Sequence, residues 1–195
     1  MNDWKNSQIF HIISKLLLLC LFCGITIGCS DEVVGKIVSP NNNLELTLGS
    51  RSGSTPSVPS KVPHQQLDQN SPDDILDKLE TFLFSLEHVE EQSSSSSFAS
   101  ARGAVIKSGV ETNSAINREF THIHMEPGPG SQHLTLLEDD SKKVLEGGWG
   151  VIHPWNDRLA EKGYVLMMIY APRNNTDLEE VKKIIQAAHS LVLKP

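Results

Sequence analysis

Four of the chain's eight histidines fall between positions 122 and 153: His122, His124, His133 and His153. Imidazole changes charge near neutral pH and is the commonest ligand of divalent transition metals, so a local surplus of it is where chemistry is sought first. In Thr121-His122-Ile123-His124 the two rings would share one face of a strand, because successive strand side chains alternate. A hairpin register pairing His124 with His133 would gather three imidazoles, whereas a one-residue slip would turn His133 away. Three imidazoles with Glu119 or Glu126 nearby suit a divalent metal such as zinc or iron, with His122, His124 and His133 as ligands. The same rings could instead supply a neutral general base. They could also be half-buried strand residues hydrogen-bonded to the 149–155 loop.

A second group is aromatic with one cation: Trp149, Trp155, Tyr164, Tyr170 and Arg173. Around a Gly-rich loop these side chains could line a pocket for a planar or anionic ligand. Their alternative is core packing, with Arg173 tying down a strand end. The candidate ligand-binding residues are therefore His122, His124, His133, Trp149, His153, Tyr170 and Arg173. No Ser-His-Asp order, phosphate loop or Glu-x-x-His pair designates a catalytic residue, and no cofactor beyond a divalent metal is implied.

The elements that must position these residues are legible from periodicity and punctuation. Ser71-Pro72-Asp73-Asp74 reads as a helix start, and Ile75, Leu79, Phe82, Leu83 and Leu86 recur at helical spacing to about residue 90. The serines at 93–97 form a loop. Strands are expected at 103–107, 119–125 and 132–137, the last two joined by the turn Glu126-Pro127-Gly128-Pro129-Gly130-Ser131. A short helix from about 139 to 146 stops at Gly147-Gly148, and 149–155 reads as a rigid loop. The apolar run 164–170 has strand length. The last helix opens with the capping box Thr176-Asp177-Leu178-Glu179 and buries Leu178, Val181, Ile184, Ile185, Ala188 and Leu191 or Val192. Grouped strands flanked by helices predict an α+β domain over 71–195, a small antiparallel sheet with helices packed on one face.

Residues 1–28 have the layout of an export signal: Lys5 and Lys15, then an apolar run of about twelve residues at 16–27, too short to span a bilayer. The run ends in Thr26-Ile27-Gly28-Cys29, which resembles a lipobox, with Thr26 where Leu is usual. Cys29 is the expected lipidation site, and Ser30 after it resembles signals sorted to the outer membrane. The expected location is the bacterial cell envelope, anchored by lipid on Cys29 and facing the periplasm. Cys20 and Cys23 leave with the leader, so the mature chain would have no disulfide. Residues 29–70, rich in Ser, Pro, Asn and Gly, read as a mostly disordered tether. A net charge of −7 without a Lys/Arg cluster argues against nucleic acid as a partner. A small molecule or an envelope protein is the expected partner.

Four short motifs occur in order: Arg118-Glu119-Phe120-Thr121-His122-Ile123-His124, Gly130-Ser131-Gln132-His133-Leu134, Gly148-Trp149-Gly150 with His153-Pro154, and Tyr170-Ala171-Pro172-Arg173. Together they resemble the luciferase-domain family, over roughly residues 73–193. The turn from Met125 to Ser131 is longer than that family's usual Pro-Asp-Gly-Ser type, and Val151 stands where Glu or Gln is frequent. The resemblance implies a luciferase-like domain. It leaves two functional expectations: a ligand-binding or interaction module of the envelope, or a His-dependent, metal-assisted oxidoreductase.

Overall fold

The computed structural model describes residues 45–97, 100–126 and 128–194; the leader, the lipobox and Cys29 lie outside them. Six strands form one antiparallel sheet in the order β1-β2-β3-β4-β6-β5. They are β1 (Val89–Ser93), β2 (Arg102–Ile106), β3 (Glu119–Ile123), β4 (Gln132–Leu137), β5 (Gly150–Ile152) and β6 (Tyr164–Ile169). Helices α1 (Asp73–Ser85), α2 (Glu138–Glu146), the single-turn α3 (Asp157–Ala160) and α4 (Asn175–Val192) complete the described part. The domain is α+β, as expected. No helix among the described residues is long and apolar enough to cross a membrane.

One face of the sheet carries the core. Alternate residues Ala104, Ile106, Ile123, Leu134, Leu136, Met167 and Ile169 point to it and are essentially inaccessible to solvent. Onto them pack Ile75, Leu79 and Leu83 of α1, Val144 of α2 and the whole expected stripe of α4, with both Leu191 and Val192 buried. Each such side chain contributes about 1.5–3 kcal/mol through removal from water.

Four local expectations are corrected. Helix α1 stops at Ser85 rather than near residue 90, because Leu86 turns extended and His88 takes a φ of 63°. The next five residues form β1, an edge strand whose single buried apolar residue, Val89, gives no alternation to read. Residues 150–152, expected in a loop, pair with β6 as a second edge strand. The cap of α4 is Asn174, whose Oδ1 accepts from the Asp177 amide at 3.0 Å, not Thr176; Asp177 itself is turned toward Arg173. Ser71 does not cap α1: its hydroxyl donates to the Pro172 carbonyl at 2.7 Å.

The largest correction concerns the tether. From residue 45 to 70 the chain has no helix or strand, yet it lies on the domain rather than off it. Leu46 enters the core, and the Gly49 carbonyl accepts from Trp149 Nε1 at 2.6 Å. The Arg51 amide donates to the Gly147 carbonyl. Gln66 is fully buried; its Oε1 accepts from the Ala171 amide and its Nε2 donates to the Asp68 and Gln69 carbonyls. Amide side chains satisfy the backbone here, so a composition poor in large apolar residues still gives a fixed segment.

Candidate metal centre

The register of the β3–β4 hairpin places His122 directly opposite His133. That is two residues from the expected His124–His133 pair and so preserves which face each side chain takes. All three rings fall on the side of the sheet away from the core. Gly103 stands opposite His122, and Met168 opposite His133. A β-bulge supplies the fourth group. Ala104 faces Thr121 but Val105 faces Glu119, so Phe120 is an extra residue in β3. Phe120 turns into the core, and Glu119 turns to the histidine face, where its Oε1 lies 3.0 Å from His122 Nδ1.

Five imidazoles meet on this face. Ring centroids of His122, His124 and His133 are separated by 4.8–5.2 Å. His153, from the loop after β5, lies edge-on to His133 at 4.5 Å. His64 stacks on His133 at 5.5 Å and meets His153 edge-on at 4.8 Å. His122, His124, His153 and His64 are each 5% exposed or less, while His133 is half-buried as a residue but has an inaccessible Nε2. His64 is the member the sequence did not reveal. It sits alone in a polar stretch, and no spacing rule links it to residues far along the chain.

Burial favours the neutral form of His64, His124, His133 and His153. It lowers His124 to about 3 and His153 to about 4, with neighbouring imidazoles adding to the effect. Burial likewise holds His133 well below the usual histidine range, again with its neighbours, and lowers His64. For Glu119 burial acts upward, but hydrogen bonds from His122, Ser94, Ser95 and Ser96 outweigh it and hold the carboxyl ionised, well below the usual range. The face therefore brings four rings held toward the neutral form close to His122 and one buried carboxylate.

The hydrogen bonds also bear on which nitrogen of His122, His124 and His153 carries the proton. An ionised Glu119 can only accept, so His122 Nδ1 donates to it, which in a neutral ring leaves the lone pair on Nε2. Ser131 has one hydroxyl hydrogen, given to the Gly128 carbonyl at 3.2 Å. With its hydrogen so placed it accepts from His124 Nδ1 at 3.0 Å, which in a neutral ring leaves His124 Nε2 bare as well. His153 is the reverse, since its Nδ1 accepts the Trp155 amide at 3.0 Å and its proton sits on Nε2. Buried Nε2 atoms of His122 and His133 have no hydrogen-bond partner.

Two overlapping sets have donor atoms within 4.8 Å of one another, His122/His124/His133 and His64/His133/His153. The proton positions favour the first. Its Nδ1 atoms on His122 and His124 are tied to a carboxylate and a hydroxyl, the outer-shell arrangement that orients metal-binding imidazoles. In the second, His153 offers a proton where a metal needs a lone pair.

The other candidates are committed elsewhere. Trp149 is 2% exposed and belongs to the core. The Tyr170 ring is also buried and lies 5.5 Å from the Arg51 guanidinium. Arg173 forms an ion pair with buried Asp177 at 2.6 Å and, like Arg51, donates to Gln69 Oε1. These residues join the 45–70 segment to β6 and α4, and they do not meet the histidines in one ring cluster.

With this geometry in hand, comparison with known proteins is decisive for part of the chain: the luciferase domain family matches residues 117–188. That stretch is similar to the luciferase domain. The match takes in β3 to most of α4, and with them His122, His124, His133 and His153; His64 precedes it. Over 76 residues the chain is 38% identical to the luciferases of Armillaria gallica and Armillaria ostoyae, and 36% identical to that of Neonothopanus nambi. The shared segment is 36% of this chain and 27% of each relative, so the match spans about a quarter of the relatives' length. No solved structure matches the chain.

Proposed function

We propose that the luciferase domain binds one divalent transition metal through His122, His124 and His133. In this reading the metal centre takes a small-molecule ligand and supports luciferase-like oxidoreductase chemistry. The observation that carries it is the pair of buried, partnerless Nε2 atoms on His122 and His133, beside a third bare nitrogen on His124. Leaving a buried polar atom unsatisfied costs about 1–3 kcal/mol, and a metal ion satisfies both of these at once. Three histidines plus an open position is the donor set of catalytic zinc sites, and imidazole equally suits iron and copper. The relatives' name makes an oxidative reaction the candidate activity.

Elemental analysis of the purified full-length protein tests the metal. About one equivalent per chain is expected, falling below about a tenth in His122→Ala and in His124→Ala with the fold intact by circular dichroism. A native-like protein that holds no metal and takes up none of added zinc, iron or cobalt overturns it.

We further propose that the chain is anchored in the cell envelope by lipid on Cys29, with the outer membrane and the periplasmic side as its location. The support is the cysteine at the end of the apolar run 16–27, preceded by Gly28. Mass spectrometry of the mature protein is expected to find an acylated cysteine at its amino terminus, and Cys29→Ser to release the protein from membranes. An unmodified terminus defeats the anchor and leaves the metal site untouched.

A further inference from the structure

His153 is the imidazole of the cluster that is set up to give a hydrogen bond rather than to bind a cation. Its backbone is held on both sides: the amide donates to the Leu166 carbonyl at 2.9 Å, and the carbonyl accepts from Asn156 at 3.0 Å. The Trp155 amide pins Nδ1 at 3.0 Å, and the Trp155 ring lies 5.5 Å away. A backbone amide can only donate, so the neutral ring has its proton on Nε2. One nitrogen of His153 lies within 4.8 Å of nitrogens on both His133 and His64. His153 is thereby next to His133, the half-buried residue of the cluster.

From this we infer that His153 is the hydrogen-bond donor for a small anion taken at the open position of the His122/His124/His133 metal. The inference rests on the metal-binding reading above. Charge supports an anion in particular. A dication among neutral imidazoles is balanced by only one carboxylate of the cluster, Glu119, which is already engaged by His122 and three serines. A net positive centre with one fixed N–H beside it favours an anionic ligand over a neutral one of the same size. His153 then acts on the ligand and not on the metal, so the two affinities should separate on mutation.

Cobalt(II) and azide are the probes. Full-length protein is loaded with cobalt, whose visible spectrum reports its coordination, and titrated with azide. We expect azide to perturb the spectrum of the native protein, and His153→Ala to weaken azide binding by about tenfold or more. Cobalt affinity should stay within about twofold in the same variant. His153→Gln, which restores an N–H at similar reach, should recover part of the azide affinity. If cobalt binds but azide leaves its spectrum unchanged, or binds His153→Ala as well as the native protein, the inference fails while the metal site stands. A large loss of cobalt affinity in His153→Ala would make His153 a ligand and overturn the assignment of a donor. Failure of the native protein to bind cobalt removes the metal reading and this inference with it.

Discussion

Metal-free protein kept in chelator is expected to lose stability steeply as the pH falls below about 6.5, and to unfold before about pH 3, at the folded-state values of its buried histidines. His124 is lowered to about 3 and His153 to about 4, both by burial first, and His133 and His64 are displaced the same way. A group whose folded pKa lies below its unfolded one leaves the fold unpenalised above the unfolded value. As the pH drops, the unfolded chain takes up protons that the folded one refuses. Each such histidine then removes on the order of 1.4 kcal/mol per pH unit until its folded pKa is passed. Several groups acting together over two units match the whole stability of an ordinary domain, on the order of 5–15 kcal/mol. Urea denaturation at pH 7.5, 6.5, 5.5 and 4.5 would measure this. A stability flat across that range would mean that the rings titrate freely and are not buried as a cluster. His153→Gln removes one refusing group and should shift the acid midpoint downward.

Much of the scaffold for that cluster was legible in the sequence. The α4 stripe from Leu178 to Val192, the strand 132–137 and the turn between two strands all announced themselves by period or punctuation. The site was legible in the same measure. Two histidines two apart on a strand, and a third across a turn, must share a face whenever the register is even, and it is. What stayed hidden depends on long-range contact. His64 reaches the cluster from a segment whose Ser, Pro and Gln content reads as solvent-exposed, and long-range contacts such as the segment's hydrogen bonds to Ala171, Trp149 and Gly147 place it on the domain. Glu119 depends on a bulge at Phe120, where one residue of slip decides whether the carboxylate or the ring faces the histidines. Edge strands β1 and β5 carry too few buried residues to show alternation.

Alanine at Gly128 is expected to destabilise the domain by about 3–5 kcal/mol and to lower its metal content, although Gly128 is not a ligand. Its φ of 90° is strained for any residue with a Cβ, and a Cβ built there would lie 2.0 Å from the Gln66 carbonyl oxygen. That atom is backbone of the buried segment, whose side chain already holds Ala171, so nothing nearby can rotate away. Gly130 gives the informative contrast. Its φ is 95°, but its Cβ would meet the Ser71 side chain, at 2.1 Å from Oγ. Gly130→Ala should therefore be partly rescued by Ser71→Gly, which clears the main collision but leaves the backbone strain, a tight approach to Ala171 and the lost Ser71–Pro172 hydrogen bond, whereas no side-chain change should rescue Gly128→Ala. The link to the metal runs through the same turn. The Gly128 carbonyl takes the Ser131 hydroxyl hydrogen, and that is what obliges Ser131 to accept from His124 Nδ1. Moving Gly128 frees the hydroxyl to donate to His124 instead, which shifts the ring's proton to Nε2 and removes a donor atom from the proposed centre. Urea denaturation and elemental analysis of Gly128→Ala, Gly130→Ala and the Gly130→Ala/Ser71→Gly pair would separate the two effects. A Gly128→Ala protein as stable and as metal-rich as the native one would show that the buried segment and the turn do not press together as described.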